Sequence, residues 1–465
     1  MQMDLGQIRR AFSTAERLRA QSFRSQLEKG DPLDRTELER QTEIAFREQI
    51  RQLQGVLEEE LGKSTPQQRQ LAVAAFSSEL QQAEREYQAF LDDIGKRTGD
   101  TRSMDVPEPA VIQAQLKPGE ALLEYVTAND AVMIFFMQRD RLVAVTRPIS
   151  RSILENKVNL VRELIKRVDS DRWIKPAASL SATLIKPLYE QGLLANVEHL
   201  YLVPHGILNY LPYSILPLQR EDLSKVVIEQ FTVSYLPAAT TLVNDTGNVT
   251  QSLSLLAMAP ETSRLRHSQD EARSIANLYK PTSQLFTGVE ATESIFKARS
   301  SEFGILHLAT HGSFNSRNPL LSGLELEADA ANDGFLEVHE ILGLKLDAGL
   351  VTLSACQTGL GSGYFNEFPA GDDFVGLTHA FLQAGSRSVL ATLWEVDDRS
   401  TVELMNGFYE RLNHETNGGN ATPDLAMALA MAQRSLRQSG DYGHPFYWAP
   451  FVLVGQNGMH AVEKG

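Results

Sequence analysis

The chain has 465 residues, 42% of them hydrophobic, with one cysteine and a formal net charge of -15; this predicts a soluble protein of two or three domains and argues against direct nucleic-acid binding, since phosphates need a basic face. One cysteine excludes an internal disulfide and, with no CxxC pair, gives a thiolate zinc site no support, so neither metal nor cofactor is expected and a reducing cytoplasm fits. Apolar runs break well before about 18 residues, and "MQMDLGQIRR" lacks an apolar core, so neither a membrane span nor secretion is expected.

From Leu5 to Lys96 the pattern is helical. Thr65 caps and Pro66 opens a segment in which Phe76, Leu80, Ala83, Tyr87, Phe90 and Ile94 recur in alternating steps of four and three, the spacing of a coiled-coil seam. Phe46, Ile50, Leu53 and Leu57 follow the same steps before the turn "GKSTPQQ", so an antiparallel helical hairpin is expected within residues 1–100. It would serve as a packing arm or as a docking surface for an activating protein partner. The helical opening without a leader-like stretch fits the C-terminal part of a longer protein.

The polar stretch "RTGDTRSMDVPEP" marks a boundary. Residues 108–248 follow as a structural part: "ALLEYVTANDAVMIFFMQRDRLVAVTRPI" predicts three strands, two amphipathic helices come next, and "HLYLVPHGILNYLP" is a strand running into a loop. Over residues 249–465 the apolar strand candidates "LSLLAMA", "SQLFTG", "FGILHLATHG", "LVTLSAC", "SVLATLW" and "FVLVG" alternate with helical patterns. Several are continuous Val/Ile/Leu runs, as expected where helices cover both faces of a mainly parallel sheet. The fold class is therefore α/β, an open, mainly parallel sheet with helices on both faces, preceded by a helical N-terminal region.

In such sheets reactive groups gather at the carboxyl ends of strands. His311 and Cys356 each end a strand candidate, 45 residues apart, which leaves room for the two strands to be sheet neighbours. An imidazole in reach of a thiol accepts its proton, and later returns one to a leaving amine. A small buried cysteine or a turn histidine would each be unremarked alone; together, flanked by small residues in "ATHG" and "SACQTG", they point to nucleophilic catalysis. "GSGYFNEFPA", Gly361 to Ala370, suits a substrate or activation loop, since no G-K-[ST] follows that would cradle phosphate.

Four blocks, "HLATHG", "LSACQTG", "GDDFVGLTHAFLQAGSRSVLATLWEVDDRST" and "HPFYWAPFVLVG", resemble the CHAT domain, a caspase-like peptidase domain associated with tetratricopeptide repeats and related to caspases and separases. The resemblance runs from Glu108 to the C-terminus. It implies a caspase-like fold, a TPR-like N-terminal remnant, and His311 and Cys356 as catalytic dyad with the amides of Gly312 and Cys356 as oxyanion hole. It also implies a protein substrate, gating by a partner on the N-terminal helices, and a place in bacterial defence or regulated cell death. Ser354 stands where caspases carry Gln before Ala-Cys, so specificity for aspartate is not carried over. "LWEVDDR" and "GDD" look more like separase, whose acidic pocket accepts arginine, making Asp372, Asp373, Trp394, Glu395 and Asp397 the candidate substrate pocket. The same aspartates equally suit helix caps.

Among the other histidines, His205 in "LVPHG" has no second cysteine to partner it and is expected to be structural. His307 is expected in core packing, and His339 and His379 in capping or surface roles. The reading is a cytoplasmic cysteine endopeptidase acting through a thioester, with a catalytically silent scaffold and a thiol acyl transferase as alternatives.

Overall fold

The computed structural model describes residues 4–28, 106–219, 225–243, 253–261, 267–313, 322–354, 372–417 and 423–458, with scattered positions between 36 and 90. Near the N-terminus, helix α1 spans Leu5–Glu28. The scattered positions are largely helical, and Ile50, Leu80, Ala83 and Tyr87 are buried in the main core. The Phe46 ring lies 5.9 Å from Tyr87 and 5.6 Å from Phe90, so the two apolar seams face each other. Leu57, Ile94 and the turn with Thr65 and Pro66 lie outside the described residues.

The first part of the α/β body contains β1 (Glu120–Thr127), β2 (Ala131–Gln138), β3 (Arg141–Pro148), helices α2 (Arg151–Ile165) and α3 (Ile174–Leu184), β4 (His199–Val203) and β5 (Thr232–Tyr235). The second contains β6 (Leu255–Ala259), α4 (Ser268–Leu278), β7 (Ser283–Thr287), β8 (Ile305–Ala309) and the short β9 (Gly312–Ser313), β10 (Gly323–Glu325) and β11 (Phe335–Glu337). After these come β12 (Leu350–Ser354), α5 (Asp372–Gln383), β13 (Ser388–Thr392), α6 (Asp398–Asn417), α7 (Leu425–Gln438) and β14 (Phe451–Gly455). All six strand candidates of the second part are strands.

Among the described residues both parts share one 11-stranded sheet, in the order β3-β2-β1-β4-β5-β14-β13-β12-β8-β6-β7, flanked by helices. Strands β4, β6, β8, β12, β13 and β14 are buried at every position, which is why their sequences are apolar runs rather than alternations. The join is parallel, Val454 opposite Tyr235, whereas β14 runs antiparallel to β13. Strands β1, β4 and β5 therefore run opposite to β6, β7, β8, β12 and β13, and the carboxyl ends of the two parts lie at opposite sheet edges.

Beyond β8 the chain turns into a small antiparallel sheet, β11-β10-β9. Its close approach depends on Gly323, where a Cβ would stand 2.6 Å from the Leu336 carbonyl oxygen.

Candidate active site

The register of two neighbouring parallel strands organises the rim. β8 and β12 pair from Leu350 opposite Ile305 to Ser354 opposite Ala309, and the Thr310 N–H donates to the Ser354 carbonyl at 3.3 Å, which carries the ladder one residue further. His311 follows, 3% exposed. Its carbonyl accepts the Glu325 N–H at 2.8 Å, and the Thr310 hydroxyl donates to the Glu325 carbonyl. β10 thus fixes the backbone on both sides of the imidazole's Cα.

Gly312 pairs with Leu324, and because Glu325 donates to His311 across that pair, it is the non-hydrogen-bonded type. The Gly312 N–H consequently points away from β10, off the edge of the small sheet. Cys356 and its amide lie outside the described residues, as does the loop Gly361–Ala370. Ser354, two residues earlier in sequence, is fully buried at the end of β12.

The remaining predicted residues stand on elements that begin at the same edge. Asp372 and Asp373 are the first two residues of α5, which runs back from the carboxyl edge of β12 toward the start of β13. Trp394 lies two residues past β13 and is 5% exposed, its indole N–H donated to the Phe446 carbonyl at 3.1 Å. Glu395 is exposed. Asp397 caps α6: its Oδ1 accepts the Ser400 N–H at 3.0 Å, and its carbonyl accepts the Thr401 N–H at 3.0 Å and the Ser400 and Thr401 hydroxyls at 3.0 and 2.8 Å. From the first part, Arg162 on α2 donates to the Tyr210 carbonyl at 3.0 Å and to the Leu393 carbonyl at 3.2 Å, fastening the segment that carries Trp394 and Glu395.

Beneath the rim lies a polar cluster that sequence reasoning missed. His307 pairs with Thr352 in register, four residues before His311 and Cys356 respectively, and both are fully buried. His307 Nε2 is 3.1 Å from Glu271 Oε1 on α4, and its Nδ1 is 3.2 Å from the hydroxyl of Tyr409 on α6. That hydroxyl also meets Thr352 Oγ1 at 2.7 Å. Burial pushes Tyr409 well above the usual phenol range, so the hydroxyl stays protonated. The matching offsets of His307 and Thr352 were the available signal; the partners on α4 and α6 gave none.

The other histidines sort by environment. His205 follows β4 and so lies at the opposite edge from His311; its Nδ1 accepts the Thr127 N–H at 3.2 Å, and burial lowers its pKa to about 4. His379 is 7% exposed inside α5, contrary to the expected cap or surface role, and burial lowers it to about 3. His339 lies 3.2 Å from Glu337. Glu337, His339 and Glu340 form the metal-sized group of side chains among the described residues, but the two glutamates close a capping box on helix Val338–Leu342 and Lys297 stands 3.0 Å from Glu340, so their charges are already engaged. No helix among the described residues is long and apolar enough to cross a membrane.

Residues 175–456 match the family model of the CHAT domain. Tetratricopeptide repeat protein 28 of Mus musculus is 24% identical over 340 residues, 61% of this chain and 13% of that protein. The Homo sapiens protein of the same name is 32% identical over 122 residues, 26% of this chain and 4% of that protein. The chain thus spans a small fraction of the curated relatives it matches. Among solved structures, the Saccharomyces cerevisiae separase-securin complex at 2.6 Å is similar with a TM-score of 0.51 at 9% identity, covering 85% of this chain and 34% of that one. At such identity the likeness concerns the fold alone, and that fold is caspase-like. With the family model matched over more than half of its length, the chain belongs to the CHAT domain family.

Proposed function

We propose that this chain is a cysteine endopeptidase in which His311 activates Cys356. The observation that carries the reading is the register of β8 on β12: His311 follows Ala309 by two residues, Cys356 follows Ser354 by two, and Ala309 and Ser354 are paired. Two residues span about 7 Å at full extension, so both reactive residues are tethered to adjacent strand ends and are able to come within reach of one another.

In this reading His311 takes the Sγ proton and the thiolate attacks the substrate carbonyl carbon. A C–S bond forms, and the π pair moves to oxygen, toward the N–H groups of Gly312 and Cys356; the outward direction of the Gly312 N–H supports that role. The imidazolium then protonates the departing amine as the C–N bond breaks. Water, giving its proton to His311, releases the acid from the thioester and restores the thiol.

Glu395, exposed beyond β13, and the chain's net charge of -15 support a preference for basic side chains before the scissile bond, with Asp372, Asp373, Trp394 and Asp397 framing the pocket. The 3% exposure of His311 supports an enzyme that stays closed until a protein partner, engaged through the N-terminal helices, opens the rim. A reducing cytoplasm would keep the thiol available. The same burial also favours a second reading, a scaffold with an idle dyad.

The sole cysteine makes iodoacetamide alkylation a one-site measurement. Wild type should alkylate with a pH midpoint below the about 8.5 of a free thiol, and His311→Ala should restore that midpoint. Arginine-terminated peptide amides should be cleaved by wild type and not by Cys356→Ala. Equal turnover by both proteins would sink the peptidase, and an ordinary midpoint unmoved by His311→Ala would favour the scaffold.

A further inference from the structure

At the sheet edge opposite the rim, α1 lies across the carboxyl ends of β1 and β4 through buried charge rather than apolar contact alone. Glu16 is fully buried, and its two carboxylate oxygens accept the N–H groups of Ala239 at 3.1 Å and Thr240 at 2.9 Å. Nearly one turn further on, Arg19 reaches into the sheet edge. Its Nε donates to Glu124 Oε1 at 3.2 Å, Nη1 to the Pro204 carbonyl at 2.7 Å and Nη2 to the Tyr125 carbonyl at 2.5 Å. Pro204 immediately precedes His205-Gly206, the first part's counterpart in sequence of His311-Gly312.

One carboxylate and two carbonyls converge on three different nitrogens of a planar fork. An ammonium on a flexible stem cannot meet that geometry, whereas a guanidinium meets it in one plane. Glu124 is fully buried, and its second oxygen has no hydrogen-bond partner among the described residues. Burial first, and the neighbouring Glu16 second, push its carboxyl up to about 8, with Arg19 acting in the opposite direction. Without Arg19 the group would be held neutral more firmly still, with no charge to set against a cation in the first part's core. His205 adds no competing charge, because its Nδ1 accepts from Thr127 and the ring is neutral.

We propose that the edge formed by Glu124, the Tyr125 carbonyl and the Pro204 carbonyl is a guanidinium-binding pocket, filled in cis by Arg19, and that this occupancy latches α1 to the sheet. The pocket takes an alkylguanidinium, the side chain of arginine, in preference to an alkylammonium. The proposal stands apart from the reading of the rim and needs no catalytic activity to test.

The experiment is chemical rescue of Arg19→Ala in the whole chain, read by hydrogen exchange at the Ala239 and Thr240 amides, which report α1 docking through Glu16 rather than through Arg19 itself. Arg19→Ala should speed exchange at both amides at least tenfold. Ethylguanidinium at 20 mM should recover most of the protection, ethylammonium at equal ionic strength should not, and the rescue should vanish in Arg19→Ala/Glu124→Leu, which removes the acceptor. Unchanged exchange in Arg19→Ala, no rescue by either cation, or equal rescue by both would overturn the pocket. If Arg19→Ala does not fold, Arg19→Lys carries the test at the same two amides: tenfold faster exchange supports a guanidinium requirement, and the wild-type rate overturns it.

Discussion

The Tyr409 hydroxyl joins the two strands that end at the rim, and removing it isolates one contact. Tyr409→Phe leaves His307 Nδ1 and Thr352 Oγ1, both at zero exposure, without the oxygen they share. A buried polar group left unsatisfied costs about 1–3 kcal/mol, so urea unfolding should show a loss in that range with an unchanged m-value. Adding Thr352→Val should recover part of it, and the cycle of the two variants reads their coupling. A loss below about 0.5 kcal/mol would mean that the hydroxyl is not shared. At this scale the sequence was informative where a reactive residue stops an apolar run, as at His311. It was silent on Glu271 and Tyr409, which lie on amphipathic helices far from their partners in sequence, so that no local pattern marks their polar atoms.

The segment after β13 is held at both ends, by Arg162 at Leu393 and by the Asp397 cap on α6, and the two attachments predict different losses. Hydrogen bonds to a charged group contribute about 1.5–3 kcal/mol each; Arg162→Met should therefore destabilise the chain and speed hydrogen exchange over residues 393–397 more than in β13 itself. Wild-type exchange there would show that the segment does not depend on Arg162. Asp397→Ala should cost about 0.5–2 kcal/mol through the lost cap, while Asp397→Asn, a good cap without charge, should keep the melting temperature. If Asp397 also reads a basic substrate, Asp397→Asn lowers kcat/KM for arginine peptides at full stability; unchanged kinetics would leave Asp397 a cap alone. Five of the six strand candidates of the second part were legible because burial on both faces makes each a mainly apolar run, whereas β7, at the end of the sheet order, is only partly buried and its sequence is mixed. β9, β10 and β11 were not legible, since two or three residues are too few to show an alternation.

Across the whole molecule, buried titratable groups set how stability follows pH. Burial holds His199 and His205 at about 4 and His379 at about 3, against a usual 6.5. Between 6.5 and about 4 the unfolded chain binds these protons and the folded chain does not, so stability is lost as pH falls through that window, by about 1.4 kcal/mol per pH unit for each proton. Glu124, raised to about 8, acts in the opposite sense: the folded chain keeps a proton that the unfolded chain has released, and its contribution declines as pH rises toward 8. Urea midpoints should therefore drop steeply from pH 6.5 to 5 and gently from 6.5 to 8, and Glu124→Gln should flatten the alkaline side and steepen the acid side, where Glu124 opposes the histidines. A flat profile from pH 5 to 7 would contradict the burial of these histidines.

The reversal of strand direction at β14 was invisible in sequence, because an apolar run reads the same whichever way its strand points. It has a kinetic consequence. A five-residue strand is about 16 Å long, so a molecule engaging α1 at one edge and a peptide seated near His311 at the other do not contend for space. Both can be resident at once, and any effect of the first on the second travels lengthwise along the strands. If the chain is the proposed peptidase, saturating substrate should therefore not displace a molecule bound at α1, which distinguishes such a molecule from a competitor.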